Sequence, residues 1–128
     1  MTTADFHQRV RDLDGRRRQL IEDTLRPLPM VVGYLIQMRR RCGGAGCRCG
    51  RGQLHTSWYL SRRVAGKTKL DYLGRLVPDG LAPLVRRYRD VQQSLAAIRK
   101  IDREISELLN RIRDAKLSSL EEERDRRR

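Results

Sequence analysis

The sequence is poor in the residues that build a compact hydrophobic core. Phe and Trp occur once each, aromatic residues make up 5% of the 128 positions, and 38% of the residues are hydrophobic against 35% charged. So little apolar material excludes a large single core and favours a small domain extended by helices. Domains of this size are often stabilised by a structural metal.

Long hydrophobic segments are also missing. The longest apolar stretch, Met30 to Met38, is interrupted and much shorter than the ~20 residues that span a bilayer. The first residues lack the apolar segment of a secretory signal peptide. Three cysteines, an odd number, argue against a disulfide framework. We therefore expect a cytoplasmic protein in a reducing compartment, without membrane association.

Acidic residues are nearly absent from the middle of the chain. Positions 39–75 contain ten Lys/Arg and one acid, Asp71, so +9 of the net charge of +13 lies there. Such a field attracts phosphate polymers, and we expect nucleic acid as the partner, with DNA favoured over RNA. For the aromatic residues of this segment, base stacking and packing in a sheet core are both open. The predicted nucleic-acid-binding residues are Arg39, Arg40, Arg41, Arg48, Arg51, Arg62, Arg63, Lys67, Lys69 and Tyr59.

No set of catalytic residues can be recognised. Asp71 and Asp79 stand alone, and the remaining acids follow the surface pattern of helices. Neither a nucleophile with its base nor a pair of carboxylates emerges. The sequence therefore predicts a protein that is not an enzyme.

The hydrophobic periodicity predicts an α+β protein with two helices around a small sheet. Residues 4–26 have helical spacing, and a second apolar stripe runs from Val85 to Ile112. We expect the two helices to form an antiparallel coiled-coil hairpin whose unpaired length allows a homodimer or a helical protein partner. The predicted parts are an N-terminal helix (1–29), a sheet module (30–78), a long C-terminal helix (79–117) and a charged, disordered tail (118–128).

Three segments between the helices have the composition of strands, and a three-stranded antiparallel sheet is expected from 30–41, 56–63 and 67–73. Val64-Ala65-Gly66 is predicted to be the hairpin loop between the last two strands. Apolar residues alternate with polar ones in the strands expected at 56–63 and 67–73. One face of the sheet is therefore expected to be apolar, with arginines and lysines on the other face or at the rim.

All three cysteines lie within eight residues and are closely followed by a histidine. The spacing C-x4-C-x-C-x5-H supplies the four ligands that structural zinc takes, and thiolates with imidazole favour zinc over other metals. An iron–sulfur cluster, reduced thiols without a role, and redox chemistry are the alternatives. A metal here would join the first strand to the hairpin, so that their arginines share one face. The predicted ligands are Cys42, Cys47, Cys49 and His55.

This loop and the segments after it resemble a family of short, uncharacterised prokaryotic proteins. The resemblance covers residues 30–112 and departs at Thr56-Ser57, where the family usually has Gly-Pro. The family is catalogued as a domain of unknown function, and the resemblance implies an association with mobile elements. Segment 57–74 is also similar in pattern to the three-stranded DNA-binding hairpins of some phage integrases. Besides the Cys/His loop, the shared motifs are Trp58-Tyr59-Leu60, Gly66-Lys67-Thr68, Val77-Pro78 and Tyr88.

Three functions are consistent with these patterns. The leading hypothesis is a non-enzymatic, zinc-stabilised nucleic-acid-binding protein, with double-stranded DNA as ligand, that serves as an accessory factor of a mobile element. The first alternative is a protein-interaction adaptor whose long apolar stripe is the working surface. The second is a thiol-based redox or metal sensor, motivated by cysteines that lie among arginines.

Overall fold

The computed structural model describes residues 2–41 and 43–128, and the backbone alone of Cys49 and Arg51. Its helices and strands confirm the α+β class. The chain divides into a helical unit, made of the chain up to Arg26 and from Gln93 onward, and a sheet unit, Pro27–Gln92. The elements in order are α1 (Thr3–Leu25), β1 (Tyr34–Arg40), a 3-10 turn (Arg48–Arg51), β2 (His55–Val64), β3 (Lys67–Gly74), α2 (Leu81–Ala115) and α3 (Leu120–Arg126).

The start of α1 is defined by a capping box. The Thr2 hydroxyl accepts a hydrogen bond from the Asp5 amide, and the Asp5 carboxylate accepts one from the Thr2 amide at 2.7 Å. Two amides without a helical partner are thereby satisfied. The helix ends at Leu25 because Arg26, which precedes Pro27, has an extended conformation. The predicted bounds, 4–26, are close to these.

The core of the helical unit lies between α1 and the later part of α2. Its buried members are Leu13, Ile101 and Leu108, and partly buried apolar side chains surround them. Arg9 pairs with Glu104 at 3.0 Å. Phe6, which precedes Arg9, lies under the Arg111 guanidinium, which follows Glu104. Contacts therefore run in opposite order along the two helices of this unit. No helix in the described part of the chain is long and apolar enough to cross a membrane.

The C-terminal tail contains a helix that the sequence patterns above do not predict. Ser119 and Glu122 form a second capping box at the start of α3, Leu120–Arg126. Acidic residues occupy its first turn and basic residues its last, which favours a helix through the macrodipole. The expectation of a disordered tail, drawn from the lack of apolar periodicity, is corrected accordingly, because end effects alone favour this short helix.

The three strands form an antiparallel sheet in the order β1-β2-β3, as predicted. β1 begins at Tyr34 rather than at residue 30, because Gly33 has a φ of 131°. A Cβ atom on Gly33 would lie 2.7 Å from the Ser61 carbonyl oxygen. Only glycine fits this close approach between the start of β1 and the middle of β2.

The β2–β3 hairpin has a two-residue turn instead of the predicted three-residue loop. Val64 pairs with Lys67, and Ala65 and Gly66 between them have φ values of 51° and 80°. Positive φ at both turn positions is the type I′ geometry, which matches the twist of the strands. The residue types carry little sign of this turn, because alanine rarely adopts positive φ.

The shorter turn decides which side chains share a face. A three-residue loop would pair Leu60 with Leu70, whereas the observed register pairs Leu60 with Asp71 and Leu70 with Ser61. A shift of one residue moves every side chain of a strand to the opposite face. The expectation of a single apolar face is therefore wrong, and the apolar residues of the hairpin are divided between both faces.

The two faces of the sheet differ in what covers them. Leu60 is buried, and Leu35, which pairs with it, lines a small cleft together with Ala82 and Val85 of α2. This face and the first turns of α2 provide the core of the sheet unit. We call it the leucine face; it carries Leu35, Trp58, Leu60, Arg62, Lys69 and Asp71. The opposite, largely exposed side is the tyrosine face; it carries Tyr34, Ile36, Tyr59, Leu70 and Tyr72.

Candidate functional site

The loop between β1 and β2 brings two of the predicted metal ligands together. Cys47 directly precedes the 3-10 turn, and His55 begins β2 opposite Arg40, the last residue of β1. The Cys47 Sγ atom lies 3.1 Å from His55 Nε2. Cys47 is half-buried and His55 exposed, so the pair sits at the surface of the sheet unit.

This distance is that of a direct thiol–imidazole hydrogen bond, and it is shorter than the usual separation of two ligands on one zinc ion. Ordinary Zn–S and Zn–N bond lengths place two ligands about 3.6 Å apart at a tetrahedral angle. Cys42, the first predicted ligand, lies outside the described residues, and the side chain of Cys49 is not described. Within the part of the chain that the structure describes, no three potential ligands form a group.

The arginines of the strands do not share one face of the sheet, contrary to the expectation. Arg39 and Arg62 belong to the leucine face, whereas Arg40 and Arg63 belong to the tyrosine face. The physical reason is that successive residues of a strand point to opposite sides. Two neighbouring arginines in a strand therefore supply one cation to each face.

The other predicted basic residues lie around the sheet rather than on one surface. Lys67 and Lys69 are exposed on β3, on the same side as Arg62. Arg41 and Arg48 are exposed in the loop that follows β1. The side chain of Arg51, the last of the predicted set, is not described.

One cation of the sheet is neutralised within the unit. The Arg62 Nε donates a hydrogen bond of 2.7 Å to the Asp71 carboxylate across β2 and β3. This contact holds the pKa of Asp71 below its ordinary value of 3.8, with a smaller contribution from Lys69. Asp71 is the only acid at positions 39–75. Because Arg62 is paired with it, Arg62 is the cation of these positions with the least charge left for a ligand.

The tyrosine face gathers three of the four tyrosines on one side of the sheet. Tyr34 on β1 and Tyr72 on β3 expose 62% and 66% of their surface, and Tyr59 lies between them on β2. The Tyr59 and Tyr72 rings meet edge to face with centroids 5.5 Å apart. The Arg40 guanidinium lies over the Tyr59 ring at 5.5 Å, a cation–π distance.

Each exposed tyrosine lines a cleft with two arginines. The cleft at Tyr72 has a volume of about 730 Å³ and includes Arg48 and Arg75. The cleft at Tyr34, about 140 Å³, includes Arg86 and Arg89 of α2. None of these four arginines forms an ion pair with a carboxylate of the described residues. Each exposed ring therefore has cations close to it, and at Tyr34 these cations come from α2, the helix that lies against the leucine face.

Part of this surface was predicted from the sequence. Tyr59 belongs to the predicted set, but Tyr34 and Tyr72 are the more exposed rings, and Arg75, Arg86 and Arg89 are additional to that set. The signal that would have found Tyr72 is the register of the β2–β3 hairpin, since a two-residue turn pairs Tyr59 with Tyr72.

The fold and this surface define a small α+β protein with an exposed, basic and aromatic sheet. The chain belongs to a family described as a domain of unknown function, DUF6788, whose sequence pattern matches residues 10–83. The match includes α1 from Val10 onward, the whole sheet and the start of α2. Comparisons with curated proteins and with solved structures gave no match.

Proposed function

We propose that the sheet unit of this protein is a non-enzymatic nucleic-acid-binding module. The observation that carries the proposal is the excess of cations over acids in the segment that forms the sheet, ten against one. The one acid is already paired with Arg62, so the remaining cations have no carboxylate of their own segment to neutralise them. Phosphates are the abundant polyanion that such a surface attracts.

Double-stranded DNA, the ligand that the sequence favours, would receive the β2–β3 hairpin. β1 pairs with β2 only as far as Ser61, which lies opposite Tyr34. From Ser61 to its turn, the β2–β3 hairpin continues as a two-stranded ribbon with basic residues on both faces. The major groove is wide enough for such a ribbon. Arg63 is held toward the turn, where its Nη2 donates to the Gly66 carbonyl at 2.7 Å.

The salt dependence of binding tests the proposal. Anisotropy of a labelled DNA duplex, titrated at several salt concentrations, is expected to give a linear fall of log K with log salt. The double variant Arg40→Gln/Arg63→Gln is expected to bind more weakly and to reduce the slope by roughly one for each phosphate that is no longer neutralised. Arg99→Gln/Arg103→Gln, an equal charge change on exposed positions of α2, serves as the control. Absence of binding to any nucleic acid at low salt would falsify the proposal.

A structural zinc ion is part of the same proposal. Cys47 and His55 already lie within reach of one ion, and Cys42 and Cys49 complete a four-ligand set in the sequence. Such an ion would join the loop to the start of β2 and add its binding energy to the stability of the small sheet. Metal analysis of the purified protein, with Cys47→Ser as the control, is expected to find one equivalent of zinc in the wild type alone. Iron would point to the iron–sulfur alternative.

The helical unit suggests a second role, as an adaptor. Leu95 and Leu109 of α2 are exposed large apolar residues on the unit that would carry the proposed coiled-coil hairpin. A homodimer or a helical partner would cover such residues. Sedimentation of the wild type against Leu95→Lys/Leu109→Lys tests this role. A prokaryotic, cytoplasmic accessory factor of a mobile element remains the wider proposal, to be tested by identifying proteins that stay bound after nuclease treatment.

A further inference from the structure

We infer that the tyrosine face binds the unpaired bases of a single-stranded nucleic acid. This inference rests on the proposed function and specifies its ligand. The aromatic residues are concentrated on this face. The chain has six of them, four of which are tyrosines, and three of the tyrosines share the tyrosine face. A fold that is short of core material thus keeps its rings at the surface.

The two outer rings are the available ones. Tyr59 is half-buried, with Arg40 over its ring and the edge contact to Tyr72, so it supports the cluster from within. Tyr34 and Tyr72 are mostly exposed and lie on the two outer strands. Bases stack on such rings whatever their identity, because every base has a flat π-face.

The spacing of the two rings excludes a stacked duplex as their partner. Tyr72 pairs with Tyr59, and Tyr34 pairs with Ser61, so the two tyrosines are two strands apart and displaced by two residues. With ordinary sheet spacings, their Cα atoms lie roughly 12 Å apart. Bases of a duplex strand follow each other at about 3.4 Å with their faces covered by neighbours. Only an unpaired strand offers base faces at the wider spacing.

Cations accompany both rings. Arg86 and Arg89 line the cleft at Tyr34, and Arg48 and Arg75 line the cleft at Tyr72. A strand that stacks a base on each ring would pass its phosphates beside these guanidinium groups. Charge and aromatic surface together thus favour a polynucleotide over an acidic protein, which would use the cations but not the base-stacking faces. Stacking does not involve the sugar, so DNA and RNA strands are both expected to bind.

The test compares four labelled probes on the full-length protein. They are a mixed-sequence DNA strand of about 12 nucleotides, within the site sizes of sheet-based binders, the RNA of the same sequence, the DNA duplex, and an abasic strand with the same phosphates. Both single strands are expected to bind at least tenfold more tightly than the duplex and the abasic strand. Affinities are measured by anisotropy at one fixed, moderate salt concentration.

Variants separate the rings from the charge. Tyr34→Ala/Tyr72→Ala is expected to lower single-strand affinity by roughly tenfold for each ring, whereas Tyr34→Phe/Tyr72→Phe keeps the wild-type value because the rings remain. Leu76→Ala, at a position that is 80% exposed, controls for loss of an ordinary surface apolar residue. Unchanged Trp58 emission in each variant establishes that the sheet is intact.

The outcomes distinguish the two proposals. Equal or tighter binding of the duplex, or an alanine pair that binds like the phenylalanine pair, overturns the stacking inference and leaves salt-dependent phosphate binding in place. Lack of binding to all four probes at low salt removes the proposed function as well. A preference for single strands that disappears with the two rings supports nucleic-acid binding and the stacking inference, and it counts against double-stranded DNA as the preferred ligand.

Discussion

The helical unit and the sheet unit respond in different ways to the same shortage of apolar residues. In the helical unit, leucine and isoleucine side chains meet in one buried cluster, and surface arginines pair with acids of the facing helix. In the sheet unit, Leu60 and Val85 are buried, while Tyr34, Tyr72 and most arginines remain at the surface. Buried apolar side chains are therefore concentrated in the first unit, and the second leaves large side chains exposed.

Removal of the proposed metal is expected to have the largest effect and to separate the two units most clearly. Structural zinc contributes on the order of 10 kcal/mol in small domains, more than the small core of the sheet unit can replace. A strong chelator should therefore shift the emission of Trp58, the only tryptophan, which lies on β2. Helical circular dichroism should change much less.

The Cys47→Ser variant should show the chelated spectrum without chelator. A metal-free wild-type protein with unchanged Trp58 emission would contradict the metal as a source of stability. It would favour the direct hydrogen bond between Cys47 and His55.

Truncation of the helical core should be the next largest effect. Leu108 is 8% exposed and its neighbour Leu109 is 50% exposed, so the two form a matched pair on α2. Leu108→Ala is expected to lower the free energy of unfolding by about 2–5 kcal/mol, because a cavity replaces packed atoms. Leu109→Ala should cost less than about 1 kcal/mol. Urea denaturation followed by helical circular dichroism measures both, and similar losses for the two variants would refute the buried cluster.

Two glycines offer a direct contrast between the units. Gly33→Ala should destabilise the sheet by about 2 kcal/mol or more, because its Cβ would meet the Ser61 carbonyl and its φ is positive. Gly15→Ala, in the middle of α1 with open space around it, should stabilise the protein by about 0.5–1 kcal/mol. Thermal unfolding of the two variants is expected to move in opposite directions. A neutral Gly33→Ala would contradict the close approach of β1 to β2.

The Arg62–Asp71 pair should give the smallest effect, visible as a pH dependence. The folded-state pKa of Asp71 lies below its ordinary value of 3.8, so the pair stabilises the fold above that value. This contribution is lost as the pH falls through the lower folded-state pKa. Urea midpoints of Asp71→Asn and wild type should therefore differ at neutral pH and converge in acid. Asp90→Asn, an equal charge change on an exposed position of α2, is the control.

Local periodicity was enough to predict most elements of the fold. The predicted helix at 4–26 and strands at 56–63 and 67–73 agree within about one residue with the observed bounds. These elements depend on hydrogen bonds and apolar repeats within short stretches, which a sequence shows directly. α3 was missed because it depends on the capping of Ser119 rather than on an apolar repeat.

The candidate surface could not be predicted to the same extent, because it depends on whether the β2–β3 turn has two or three residues. Ala65 adopts a positive φ, which is rare for alanine, and the resulting two-residue turn sets the register of β3. Because of this register, Tyr72 lies on the same face of the sheet as Tyr59 and not on the face of Leu60. The Cys/His spacing was recognisable in sequence, but the convergence of its side chains is a matter of loop geometry, observed only for Cys47 and His55.

The outer position of β3 has a consequence for solubility. An edge strand presents unpaired backbone groups to other molecules, and charged side chains along it, lysine above all, oppose pairing between two sheets. β3 begins with Lys67 and Lys69 and carries Asp71 two residues later. Replacing the two lysines would therefore remove a barrier to edge-to-edge aggregation along with two cations. Arginine variants on the tyrosine face and in the two clefts change the charge without removing this barrier to aggregation.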